Sequence, residues 1–154
     1  MTVAGDALVA EARRWVGTRW QHQGRSRLGC DCIGLIGGVC ASTGLTDDWL
    51  TDASLEFNGY GRAPLVEWIA RGCARWMNPV EWIDRQLGDV IVLNFRGLPG
   101  AGPNPPPQHF AFLSGVNPDY MIHSYASARR VAENGIDRVW RSRVVSLWRL
   151  KGVG

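Results

Sequence analysis

Gly29-Cys30-Asp31-Cys32-Ile33-Gly34-Leu35-Ile36-Gly37-Gly38-Val39-Cys40 is the stretch on which the fold turns. An aspartate ahead of an apolar run at helical spacing predicts a helix that begins near Asp31 or Cys32 and stops at Gly44. Cys32, Leu35, Ile36, Val39 and Cys40 share its inner side. Gly34, Gly37 and Gly38 weaken helix propensity by about 1 kcal/mol each, which points to close packing against another element. A cysteine at the start of this helix meets unpaired backbone N–H groups and the positive end of the macrodipole, both of which favour thiolate. A helix end contributes ~0.3–1 kcal/mol, up to ~2 when partly buried, or about one pKa unit. Lowering a thiol from ~8.5 to ~4 requires an adjacent imidazolium, so a nucleophilic role for Cys32 requires a histidine elsewhere in the chain.

Before this helix, Asp6 can cap a helix running to about Val16, with Leu8, Ala12, Trp15 and Val16 as its apolar face and Gly17 at the C′ position. Thr18 to Gly29 reads as a polar loop, and 45–61 as another. Pro64 to Met77 reads as a third helix, with Leu65, Trp68, Ile69, Gly72 and Trp76 on one side. After a Gly88-Asp89 turn, Val90 to Phe95 is an apolar strand. Residues 97–107 (GLPGAGPNPPP) suggest a stiff, polyproline-like loop. His109 to Val116, Tyr120 to Ala126, Arg129 to Glu133 and Arg143 to Leu150 then form strands, with turns at Asn117-Pro118-Asp119 and Asn134-Gly135. Helices first and strands second is an α+β pattern, with N-terminal helices packed on a C-terminal antiparallel sheet.

Three histidines exist: His22, His109 and His123. His109 opens an apolar strand and His123 sits on the next, so one tight turn can bring them side by side. A thiolate, an imidazole base and a group orienting that imidazole make a cysteine-nucleophile triad. The bland alternative for each is a hydrogen-bonded core residue; the joint arrangement favours chemistry.

Composition bounds the answer. At 154 residues, with 45% hydrophobic and 20% charged, the chain suits one globular domain, 1–154. Four cysteines are too few for a disulfide scaffold and read as free thiols. The longest uncharged apolar run, Cys32 to Thr46, is short of the ~20 residues a membrane span needs. Asp6 and Glu11 stand where a secretory signal needs a basic start and an unbroken apolar core, which predicts cytoplasmic synthesis without a signal peptide. Net charge is +3, carried by 16 arginines and Lys151; six arginines lie between Arg129 and Arg149. They fit a solvated sheet edge or a patch for an anionic partner. No nucleic-acid motif accompanies them.

The sequence resembles the NlpC/P60 cell-wall peptidases, specifically the small peptidases associated with phage tails and gene transfer agents. The resemblance rests on Ala12-Arg13-Arg14-Trp15-Val16-Gly17-Thr18, Gly29 to Leu35, Gly88-Asp89-Val90, Gln108-His109 and Met121-Ile122-His123. It implies a papain-like fold and a thiol protease that hydrolyses peptidoglycan stem peptides, typically at the γ-D-glutamyl bond to a diamino acid. It implies Cys32 as nucleophile, His109 as base, His123 as the group orienting His109, and Asp31 as a helix cap. The backbone N–H of Cys32 is the implied oxyanion donor. Many relatives carry a tyrosine near that site where this chain has Trp20, whose indole N–H donates but cannot accept. No metal or cofactor is implied. The implied partners are the stem peptide and phage-like tail hub or tip proteins, with no nucleic acid and no membrane insertion. Tail delivery to the wall would account for a peptidase without an export signal.

Three other readings stay open. Cys30, Cys32, His109 and His123 could ligate zinc, although Cys-x-Cys is tighter than the usual spacing. The protein could be a tail-tip structural component with little catalysis, its eight tryptophans serving interfaces. The same scaffold could act as an amidase or acyltransferase.

Overall fold

The computed structural model describes residues 2–45 and 66–154. The 45–61 loop beyond Leu45 and the start of the third helix, Pro64 and Leu65, lie outside the described residues, as do the side chains of Trp68 and Ile69.

The first helix, α1 (Gly5–Arg14), buries Leu8, Val9 and Ala12, with Trp15 as its C-terminal cap. Asp6 lies inside the first turn and caps nothing; Ala4 holds the cap position. Val16 is exposed rather than part of the apolar face, because the helix has already ended and the chain turns at Gly17 (φ +93°). The Gly17 N–H is donated to the Val131 carbonyl, which ties the helix end to the sheet.

The expected loop from Thr18 to Gly29 holds a small antiparallel hairpin, β1 (Arg25–Ser26) and β2 (Gly29–Cys30). It runs directly into α2 (Cys32–Thr43). Asp31 caps that helix, accepting from the Gly34 N–H at 2.8 Å, and Gly44 ends it in the left-handed conformation. Residues Ile33 through Cys40 are all buried, so α2 is a core helix over most of its length and reaches solvent only near its end, at Ser42. Two of its glycines are required by contact: a Cβ on Gly34 would run into the Gly24 carbonyl of the hairpin, and one on Gly38 into the Trp15 ring.

α3 (Val66–Trp76) leads into β3 (Met77–Pro79), a short edge strand absent from the sequence reading. β4 (Val90–Leu93), β5 (His109–Gly115), β6 (Tyr120–Tyr125), β7 (Arg130–Gly135) and β8 (Val144–Leu150) follow, with a five-residue helix, α4 (Arg138–Ser142), before the last. The order β3-β8-β4-β5-β6-β7 is antiparallel throughout. Asn134 and Gly135 are not a turn: they pair with Met121 and Tyr120, and the chain reverses only after them. Pairing along a full strand overrides local turn preference.

Strand alternation gives the sheet two buried faces. Val90, Val92, Phe110, Phe112, Ile122 and Val131 meet α1 and α2. Ile91, Leu93, Ala111, Leu113, Met121 and Leu147 form a second cluster, covered by Val80, Trp82, Ile136 and Trp140. The Gly88-Asp89 step is structural. Gly88 turns at φ +87°, and the fully buried Asp89 carboxylate takes two bonds from the Arg149 guanidinium, at 2.8 and 2.9 Å. Among the described residues no helix is long and apolar enough to cross a membrane.

Candidate active site

Cys32, Asp31, Trp20 and His109 line one cavity, at the junction of the α2 N-terminus with the start of β5. Of the five residues singled out from sequence, only His123 lies off the cavity wall. It stands behind His109, whose Nε2 is 2.8 Å from His123 Nδ1. The ladder places Phe112 opposite Ile122, so His109 and His123 meet diagonally on the sheet face away from the helices.

Two ties hold the nucleophile candidate in place, one to the strands and one to the preceding loop. The Ser124 hydroxyl, next to His123, donates to the Cys30 carbonyl at 2.7 Å. Asp31 Oδ2 accepts from the Gln23 N–H at 2.8 Å while Oδ1 caps α2, which presses the 21–24 loop onto the helix start. Trp20 is positioned by its backbone, whose N–H is donated to the Arg129 carbonyl. Its ring lies beside His22, at 6.4 Å between centroids.

Several residues outside the sequence reading complete the surroundings. Phe95, Gln108, Ser124 and Tyr125 also line the cavity. Tyr125 stacks on His123 (5.2 Å, 14°) and Trp140 meets it edge-on (5.2 Å, 89°). Asn134 Oδ1 is 2.7 Å from His123 Nε2. Only the strand register brings these side chains together, and the sequence signal for Asn134, an Asn-Gly pair, pointed to a turn. Residues 97–107 are absent from the cavity wall. Their first half makes successive turns rather than an extended helix, with Leu98 N–H donated to Phe95 and Ala101 N–H to Leu98.

Burial works against the ionisation that the helix end favours. Burial, then the Asp31 charge, pushes the Cys32 thiol up to about 12, against opposing hydrogen bonds from the backbone N–H groups of Phe110, Ile33 and Cys32 itself. Burial, then His123, holds His109 well below the usual imidazole range. His123 is also lowered by burial, despite its bond to Asn134. Moving a thiol from 9.0 to about 12 costs the thiolate about 4 kcal/mol, whereas a partly buried helix end returns at most ~2 kcal/mol. Desolvation outweighs the helix end, and burial favours the neutral forms of both the thiol and the imidazole.

The zinc arrangement is not formed. Among the described residues no three of His, Cys, Asp and Glu converge as ligands, and the two histidines hydrogen-bond each other. Cys30, Cys40 and Cys73 are buried free thiols, each pushed up to about 12 by burial. The C-terminal arginines are partly committed to structure. Arg149 holds Asp89, Arg143 donates to the Arg96 carbonyl, and Arg141 lies over the Trp82 ring at 4.3 Å.

No family model matches the chain, and no curated protein matches it. Solved structures do. The NlpC/p60 domain of the peptidoglycan hydrolase SagA superposes with a TM-score of 0.65 at 18% identity, covering 96% of this chain and 100% of that one. An NlpC/P60 family protein from Bacillus cereus ATCC 10987 gives 0.67 at 21%, covering 97% of this chain and 41% of that one. A lipoprotein-like NLP/P60 protein from Staphylococcus aureus subsp. aureus Mu50 gives 0.63 at 17%, covering 97% and 43%. The chain thus spans a whole SagA domain but under half the length of the other two. The helices over an antiparallel sheet and these three superpositions lead to one conclusion: the protein has the α+β fold of NlpC/P60 domains.

Proposed function

We propose that the protein is a cysteine endopeptidase that hydrolyses peptidoglycan stem peptides, at the γ-D-glutamyl bond to the diamino acid. One observation carries this reading: Cys32, at a helix N-terminus, shares a cavity with His109, whose Nε2 is bonded to His123.

In the proposed reaction, Cys32 Sγ attacks the scissile carbonyl as its proton passes to His109. Because burial disfavours the charged forms of both groups, this proton transfer accompanies attack rather than preceding it. Backbone N–H groups at the start of α2, left without intrahelical partners, hold the oxyanion. The imidazolium gives its proton to the leaving amine, and a thioester remains. His109 then takes a proton from water, whose oxygen attacks the thioester, and the thiol is regenerated. Trp20 forms part of the cavity wall beside this path.

We also propose delivery by a phage-like tail, through contacts with hub or tip proteins; the resemblance of the sequence to tail-borne peptidases supports it. Digestion of purified sacculi tests the enzyme reading. Wild-type protein releases muropeptides with a new terminus at the diamino acid, while Cys32→Ala and His109→Ala release none. A freed lactyl-amide junction would instead indicate an amidase, and intact sacculi with wild type would leave the tail-component reading.

A further inference from the structure

We infer that Asn134 is a positioning residue that sets the tautomer of His123 and, through it, the tautomer of His109. This rests on the reading of His109 as the base. The Asn134 amide has only one sensible orientation: its Nδ2 donates to the Gly135 carbonyl at 3.1 Å, and a flipped amide would set two oxygens against each other. Oδ1 therefore faces His123, 2.7 Å from Nε2. An amide oxygen only accepts, so His123 carries its proton on Nε2. A neutral imidazole has one N–H, which leaves His123 Nδ1 as a lone pair. That lone pair is 2.8 Å from His109 Nε2, so His109 must donate there. The lone pair of His109 is thereby assigned to Nδ1, the nitrogen not engaged with His123.

Burial supports the single-proton count, since it disfavours the imidazolium form of both rings. Tyr125 stacked on His123 and Trp140 against its edge oppose ring rotation, so the tautomer cannot be reset by a flip. The arrangement serves both ends of the proposed proton transfer. Before it, Nδ1 of His109 is ready to accept. After it, Nε2–H already points at an acceptor, and nothing has to reorient. Without Asn134, His123 can place its proton on Nδ1, and His109 must then offer Nε2 as acceptor and carry its own proton on Nδ1, which removes that nitrogen as the base.

Asn134→Leu and Asn134→Asp test the assignment together. Long-range proton–nitrogen correlation spectra of the imidazoles read it directly: the wild type shows the Nε2–H form for both His109 and His123, and the Leu variant loses it at His123. In muropeptide hydrolysis the Leu variant loses kcat by about 10–100-fold, taken from the range for outer hydrogen-bond partners of metal-bound histidines, with KM within about twofold of wild type. Asn134→Asp keeps an acceptor and recovers most of kcat. An Nδ1–H signal at either histidine of the wild type overturns the proposal, as does a folded Leu variant with unchanged kcat or an Asp variant no better than Leu. If the wild type cleaves no sacculi, the peptidase reading fails while the spectra still decide the tautomers. If the Leu variant does not fold, the wild-type spectra and the Asp variant decide.

Discussion

Replacing Asp31 separates the tasks that one carboxylate performs at the start of α2. The residue is 5% exposed, and its two oxygens accept from the Gly34 and Gln23 N–H groups, each at 2.8 Å. Its charge also works against ionisation of Cys32. Asp31→Asn retains an oxygen for Gly34 but turns an NH2 toward the Gln23 N–H, so that part-buried bond is lost at a cost of about 1–3 kcal/mol. Asp31→Ala additionally loses the cap, about 0.5–2 kcal/mol more. For a domain of this size each kcal/mol lowers Tm by about 3 °C, so Asn falls by about 3–9 °C and Ala further. Both variants make the Cys32 thiol more acidic, because the neighbouring negative charge is gone. Burial, the larger contribution, remains and keeps the thiol above its ordinary value. Thermal unfolding followed by circular dichroism reads the first effect. Iodoacetamide labelling against pH, with the modified cysteine located by mass spectrometry, reads the second. Unchanged Tm in both variants, or slower labelling of Cys32 in Asp31→Asn than in wild type at equal pH, would refute the reasoning.

Other expectations follow from the same contacts. Arg149→Met leaves the buried Asp89 carboxylate without its two guanidinium bonds and should cost about 3–5 kcal/mol, seen as a lower urea midpoint with unchanged slope. Gly34→Ala should destabilise the fold despite a helix-propensity gain of about 1 kcal/mol, because its Cβ meets the Gly24 backbone carbonyl; a raised Tm would contradict that packing. Stability should form a dome in pH. His109 and His123 are lowered by burial, so below about 6.5 the unfolded chain binds protons that the native state does not, and stability falls with pH. Cys30, Cys32, Cys40 and Cys73 are raised to about 12, so above about 8.5 the unfolded chain releases protons that the native state keeps, and stability falls as pH rises. Urea midpoints that keep rising beyond about pH 9 would show the thiols to be solvated.

Legibility followed the range of the interactions. The helix α2 was readable end to end because its signals are local: Asp31 caps within three residues, Gly44 supplies a left-handed stop, and apolar side chains fill the turns between. Strands β4, β5, β6 and β8 were readable as apolar runs. The hairpin at 25–30, the edge strand Met77–Pro79 and the continuation of β7 through Asn134-Gly135 were not. Each exists because a partner strand, distant in sequence or weakly patterned, supplies its hydrogen bonds. Val16 failed for a related reason: helical periodicity predicts a face only while the helix lasts, and this one ends at Arg14.

The sequence by itself determined which side chains are available for chemistry and the local setting of the first: a cysteine behind a capping aspartate at a helix start, and two histidines on consecutive strands. Tertiary structure set how much water surrounds them and in what order they touch. Ionisation depends on how much water the fold removes around Cys32 and His109, and no local spacing encodes that. The line from His109 through His123 to Asn134 depends on the register of three strands, where a slip of one residue would turn each side chain to the other face.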